Sequence, residues 1–335
     1  MSRLLVFNPE HDYALAFRGH NYTPPLSILR LQKDLQHLPL VWGFPDDHIL
    51  LYDGKTVRIE ENFCTTPSQK LDIYESVEPW GWNVSLVEKL NMLSIEGNNI
   101  PSKERLESIR NLSHRRTTIK ANDEMKSPQM PEEFFDIDKA MTFYKANPDC
   151  YFKLPWSGGG RGVVATEELD ECKVRQWVSG GIRRQGSVIG EKKVYRRLDF
   201  ASLWTVGPEK AKFEGFSVSV CDGRGKYDGN LVGHQSELEE LILSSARQDV
   251  TVVLQLQRNF IESHISPYYS GLMGIDMIVD HDGRVFPCVE INLRRTMGHV
   301  ALLYSRLSEN VRRKLVSSKL PLINFYDFIT CKQIR

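Results

Sequence analysis

Glu290, Asn292 and Arg294 alternate with Val289, Ile291 and Leu293 late in the chain. Side chains along a strand alternate with period two, so a carboxylate, an amide oxygen and a guanidinium share one face of an apolar strand. Upstream, Asp276 alternates with Ile275 and Met277, and Asp280-His281-Asp282-Gly283 forms a polar turn between the two runs. Folding about that turn sets Asp276 opposite a point a residue or two short of Glu290, at roughly 3.4 Å of rise per residue. Two carboxylates and an amide oxygen at that range suit a hard divalent cation, Mg²⁺ before Zn²⁺. Arg294 adds a planar positive fork for a phosphate or a developing anion. The competing reading is a solvated hairpin. Against it, a half-buried strand carries three polar residues in a row on one face only if they are paired, bound or exposed.

A second group stands upstream. Cys150-Tyr151-Phe152-Lys153-Leu154 reads as a strand running into Pro155-Trp156-Ser157-Gly158-Gly159-Gly160-Arg161-Gly162. Glycines let backbone N–H groups close over phosphate oxygens, and a lysine ammonium neutralises one of them. The run lacks G-K-[ST] and is no Walker A loop; taken alone it also fits an ordinary hairpin turn. Near the N-terminus, Asn8-Pro9-Glu10-His11-Asp12 follows a short apolar run, Leu4 to Phe7. Loops at the carboxyl ends of strands form the ligand edge of open α/β sheets, where His11 between two carboxylates is a base or a substrate contact. The same residues also fit a helix start with Pro early and acids in the first turn. No G-x-G-x-x-G marks a dinucleotide site.

These groups need elements to hold them. Leu4–Phe7 and Leu40-Val41-Trp42 are expected strands, with a helix through Leu26, Leu29, Leu31 and Leu35 between them. Trp80-Gly81-Trp82 leads into a helix through Leu86, Leu90 and Leu93, its aromatics expected in the core. Ser102 is the expected cap of a helix carrying Leu106, Ile109 and Leu112. Strands are expected at 188–194, 198–206 and 214–220, a long polar loop at 222–230, and a helix at 236–246. A helix through Val300, Leu303, Leu307 and Val311 follows the hairpin, to about residue 316. Pro287 fits its strand only at an edge or a bulge.

At 335 residues, the chain is long enough for two or three domains with cores of their own. With 43 basic and 43 acidic residues the formal charge is zero, and the basic clusters are scattered. Neither nucleic acid nor an anionic membrane is therefore an expected partner. No run approaches the ~20 apolar residues of a membrane span, and no signal peptide is evident. Six cysteines lie far apart without a C-x-x-C pair, as in reduced thiols of a cytoplasmic protein.

With Lys153, the S-G-G-G-R-G loop, Glu191 and then D…E-x-N-x-R in that order, the chain resembles the ATP-grasp superfamily over roughly residues 106–310. The resemblance implies an α/β (α+β) chain: an N-terminal α/β domain at 1–105, ATP-grasp subdomains at 106–186 and 187–316, and a tail at 317–335. It implies ATP with one or two Mg²⁺ ions. Lys153 would contact the phosphates, and Ser157, Gly158, Gly159, Gly160, Arg161 and Gly162 would form the mobile cover. Glu191, Lys192 and Val194 would lie in the hinge receiving adenine and ribose, with Asp199 also at the nucleotide. Asp276, Glu290 and Asn292 would hold the metal, and Arg294 would stabilise the transferring group. Where the family often has an earlier phosphate-contacting lysine, this chain offers Arg115 or Arg116, which are not geometrically equivalent to it. The implied reaction is ADP-forming ligation of a small-molecule carboxylate to an amine or thiol. Substrate contacts are expected from Asn8–Asp12, Lys226-Tyr227 and His299. Family members are often dimers. The alternatives are an ATP-grasp kinase and an inert ATP-binding module.

Overall fold

The computed structural model describes residues 2–17, 22–61, 64–158, 162–221, 227–308, 312 and 325–327. The first unit contains β1 (Leu4–Val6), α1 (His11–Ala16), α2 (Leu26–Asp34), β2 (His48–Leu50), β3 (Thr56–Ile59), β4 (Thr65–Ser68), β5 (Ile73–Tyr74), β6 (Val77–Pro79), α3 (Val84–Met92) and β7 (Glu96–Gly97). Its main sheet has the order β4-β3-β2-β1-β6, and β1 pairs parallel with both neighbours. A central parallel strand is covered on both faces, hence the unbroken apolar run. Leu4 and Val6 pack beside Leu86 and Leu90 of α3. Leu5 and Phe7 point the other way, into a cluster that reaches Val300, Ala301 and Tyr304 near the far end of the chain. That cluster fixes the loop after β1 against the C-terminal part of the molecule.

Leu40-Val41-Trp42 is not a strand. Leu38–Val41 forms a 3₁₀ turn with Pro39 in its first positions, all four residues buried. Proline removes a ladder donor but suits the first turn of a helix, and the run was apolar because it is core.

Next come α4 (Lys103–Leu112), capped by Ser102 through Arg105 N–H, and α5 (Arg116–Glu124). Position 105 thus lies inside a helix. A four-stranded antiparallel sheet follows, β10-β9-β11-β8, from β8 (Glu132–Phe134), β9 (Cys150–Lys153), β10 (Val163–Ala165) and β11 (Val188–Lys192). The helices α6 (Ile137–Ala146) and α7 (Glu171–Gln185) cover it through Phe143, Val174 and Val178, packed on Phe134, Phe152 and Val188. β11 pairs with both β8 and β9, and Gly186 ends α7 just before it with a left-handed cap.

The third sheet has the order β16-β15-β12-β13-β14-β17. Its strands are β12 (Arg196–Val206), β13 (Ala211–Cys221), β14 (Tyr227–Val232), β15 (Gly271–Asp280), β16 (Val285–Asn292) and β17 (Phe325–Asp327). One face packs on α8 (Gln235–Ser245) and α9 (Val250–Phe260), and Leu203 on the other meets Leu302 of α10 (Met297–Arg306). α10 ends at Arg306, short of the expected 316; Val311 lies outside the described residues. Within the expected tail at 317–335 the described residues are Phe325–Asp327, and this strand, β17, adds to β14 in parallel. Among the described residues no helix is long and apolar enough to cross a membrane.

Candidate active site

Asp276 and Glu290 face each other directly across β15 and β16. The sequence alone placed Glu290 a residue or two too far along. The difference is a bulge: Ile278 pairs with Phe286 and Asp276 with Glu290, so Met277 alone spans the interval filled by Pro287, Cys288 and Val289. Pro287 thus sits both on an edge strand and in a bulge, where a residue without an N–H is tolerated.

Burial and the nearby Glu290 charge push the Asp276 carboxyl up to about 7. Asn292 Nδ2 donates to Asp276 Oδ2 at 3.1 Å. Two crowded carboxylates beside an amide form a donor set that a hard cation would relieve, and the residues fit Mg²⁺. Among the described residues no group of three or more His, Cys, Asp or Glu is arranged for a metal. A site of two carboxylates and an amide oxygen lies below that number by its composition.

Three cations surround this pair. Arg115 Nη2 donates to Glu290 Oε1 at 2.9 Å and to Ser157 Oγ at 3.2 Å, while its Nε donates to the Leu154 carbonyl at 3.1 Å. Lys153, on β9, donates to Glu191 Oε2 at 2.5 Å. Burial holds the Lys153 ammonium below its ordinary value, opposed by Glu191. Arg294 makes a bidentate pair with Asp12 at 3.0 and 2.9 Å. Burial works against ionising Asp12, but Arg294 prevails and holds its carboxyl below the usual range.

Between the second and third sheets lies an open cleft of ≈ 440 Å³, solvent at its mouth included. Lys153, Glu191, Lys192 and Val194 line one side, and Ile278, Phe286, Cys288 and Val289 the other. Asn122, Gln129 and Arg196 also line it, so charged and amide groups stand beside an apolar strip, a mixture that suits a ligand with both a flat and a charged part.

Of the expected residues, Lys153, Arg115, Ser157, Glu191, Asp276, Glu290 and Asn292 form one connected neighbourhood. Lys192 and Val194 join it at the cleft, and Arg294 through its charge on Asp276. Arg116 does not: more than half exposed, it pairs with Glu133 at 2.9 Å, so Arg115 is the residue that meets Glu290. Asp199 pairs at 3.0 Å with Arg196, which lines the cleft. Gly159, Gly160 and Arg161 lie outside the described residues, as does Lys226. The two ends of the glycine run are in place: Gly158 lies against Asp12, and Gly162 adopts φ +85°, with its carbonyl accepting from Leu154 N–H. His299 is buried, its ring in the cap of α10 with Thr296. His11 is buried against Gly81 and near Asn83, and burial pulls its imidazole down to about 4.

Two residues escaped the sequence reading. Asn122 donates to the Cys288 carbonyl at 2.6 Å and Gln257 to the Pro287 carbonyl at 2.7 Å. A signal existed, because Gln257 occupies a core position of α9 alongside Val250, Val253 and Phe260. A polar residue at helical spacing among apolar ones asks for a buried partner.

This architecture is the ATP-grasp fold with an α/β domain before it. The D-alanine–D-alanine ligase of Coxiella burnetii superposes with TM-score 0.50 at 10% identity, covering 99% of this chain and 98% of that one. The VanG D-Ala:D-Ser ligase of Enterococcus faecalis also gives 0.50 at 12% identity, covering 96% and 98%. An N5-carboxyaminoimidazole synthetase of Staphylococcus aureus, complexed with ADP, gives 0.47 at 15% identity, and the match covers 77% of this chain and 63% of that one. No family model and no curated protein matches at the level of sequence.

Proposed function

We propose that the chain is an ATP- and Mg²⁺-dependent ligase. It would activate a carboxylate as an acyl phosphate for attack by an amine or another nucleophile, releasing ADP and phosphate. The observation that supports it best is the gathering of Arg115, Asp276 and Glu290 around Lys153, which itself lines the cleft. Solved proteins of this fold include ligases and a synthetase complexed with ADP, in line with the same reading.

In this reading Lys153 and Arg115 hold the phosphates. The hinge residues Glu191, Lys192 and Val194 would receive adenine and ribose, and Ile278, Phe286 and Val289 would offer the base an apolar surface. The Ser157–Gly162 run covers the phosphates and keeps out water, which would otherwise hydrolyse the acyl phosphate. Asp276, Glu290 and Asn292 would hold one or two Mg²⁺ ions, which would supply charge neutralisation for the phosphates. A carboxylate oxygen displaces ADP at the γ-phosphorus; the nucleophile then adds to the acyl carbon, the C–O bond to phosphate breaks, and the departing phosphate takes up the proton that the nucleophile loses. Activation is needed because a carboxylate's charge repels nucleophiles. The chain's residues contribute positioning and electrostatics. Asp12, held on Arg294, brings the loop after β1 to the reacting end and makes it the favoured source of substrate contacts. The partners are small molecules, and the cytoplasm suits cysteines that, among the described residues, form no disulfide.

The test is nucleotide product analysis with pooled carboxylic acids and amines. ADP and phosphate formed only when both pools are present are expected. AMP with pyrophosphate overturns the mechanism, and ADP formed with the acid pool alone, without a coupled product, favours a kinase.

A further inference from the structure

The opposition of Asp276 and Glu290 depends on the bulge in β16. Carried straight through from the Ile278–Phe286 pair, the ladder would set Cys288 opposite Asp276 and move Glu290 out of reach. A bulge also strips backbone groups of ladder partners, and in a buried strand each needs a substitute. Here the substitutes are side-chain amides. Gln257 Nε2 donates to the Pro287 carbonyl at 2.7 Å, and Asn122 Nδ2 to the Cys288 carbonyl at 2.6 Å.

Neither amide is adaptable filler. Gln257 is 0% exposed, and its Oε1 accepts from Ser202 Oγ at 2.7 Å. Ser202 in turn accepts from Trp204 Nε1 at 2.9 Å, so the amide's orientation is set by a buried relay from β12. Asn122 is 2% exposed and also donates to the Thr118 carbonyl at 2.9 Å. It stands on α5, and Arg115 at the start of that helix donates to Glu290. One helix therefore holds the bulge at one point and the carboxylate beyond it at another.

We propose that Gln257 and Asn122 are positioning residues. Together they clamp the bulge, so that Glu290 faces Asp276. The proposal rests on reading this cleft as a site for magnesium and ATP. An apolar residue of similar size would fill the same space but leave the Pro287 carbonyl without a donor. A carboxylate would set acceptor against acceptor.

The experiment uses the full chain and the variants Gln257→Glu, Gln257→Leu and Ser202→Ala, none of which alters a residue that lines the cleft or is assigned to the metal. Deuterium exchange of the peptide spanning 285–292 is measured without ligand. Mg²⁺ is titrated at fixed ATP with ADP release as readout, and metal-free binding of a fluorescent ATP analogue is measured alongside. The expected result is faster exchange at 285–292 and a Mg²⁺ activation constant raised about tenfold or more, as for orienting partners of metal ligands. Metal-free nucleotide binding changes little, and Ser202→Ala shows a weaker form of the same pattern. Unchanged exchange at 285–292 in folded variants overturns the clamp. So does an equal loss of metal and nucleotide binding together with melting temperature, which is the mark of a merely structural role. Wild-type protein that binds no magnesium–ATP defeats the functional reading instead, and the exchange measurement still decides the clamp.

Discussion

Asp12 and Arg294 are 282 positions apart in the chain and meet in a two-pronged ion pair, Nε to Oδ1 at 3.0 Å and Nη2 to Oδ2 at 2.9 Å. The pair joins the loop after the first strand to the end of the hairpin that carries the acidic residues. A paired guanidinium and carboxylate in a partly buried setting couple strongly, and losing one leaves the other short of a partner. A double-mutant cycle of Asp12→Ala and Arg294→Met, read by denaturant unfolding, is expected to give a coupling of about 1–3 kcal/mol. Additive effects would show that the two do not support one another in solution.

Gly158 supplies the next prediction. A Cβ there would lie 1.8 Å from Asp12 Oδ2, closer than any side chain can tolerate. Gly158→Ala should therefore displace Asp12 and cost about 1–3 kcal/mol, the usual range for overpacking. In an Asp12→Ala background the same change should be nearly neutral. A cost that persists in that background would point to backbone strain at Gly158 rather than contact with Asp12.

Glu290 faces Asp276 and accepts from Arg115. Glu290→Gln keeps the shape and removes the charge. Mg²⁺-dependent ADP formation should fall on the order of 100-fold, a loss at least as large as that from removing an orienting neighbour of a metal ligand. The folded state should survive, with Arg115 still able to donate to the amide oxygen. Undiminished turnover at low Mg²⁺ would remove Glu290 from the metal site.

Acid stability carries a signature of the buried histidines. Burial lowers the His299 imidazole from 6.5 to about 3, and the charges of Arg295 and Arg294 act in the same direction. The folded form holds it neutral more strongly than the unfolded chain does. Its contribution is therefore complete above pH 6.5 and is lost as pH falls from there towards 3. His11 and His114, each lowered to about 4, add to the same trend. The melting temperature of His299→Gln should decline less steeply between pH 6.5 and 4 than that of the wild type. Parallel slopes would assign the acid limb to other groups.

Much of the site was legible because its signals are local. The alternation around Glu290, the strand ending in Lys153 and the Ser102 cap each depend on neighbours a few residues away. The bulge was only half legible: Pro287 announced an irregularity, but not that it would advance Glu290 into register with Asp276. Non-local facts were hidden. Nothing near Asp12 names Arg294, and nothing near Arg115 or Arg116 says which of them reaches Glu290. The apolar Leu40-Val41-Trp42 run misled because a short stretch buried all round has no period to separate strand from turn. The strand at 188–192 was visible, but its sheet was not, because pairing partners are chosen by the whole fold.

The three ion pairs at the candidate site, Lys153 with Glu191, Arg115 with Glu290 and Arg294 with Asp12, share one consequence. Each cation already has a counterion of its own before any ligand enters. An incoming anion would therefore exchange partners with a neighbour instead of capturing a bare charge, and the fold is spared the mutual repulsion of three unscreened positive groups.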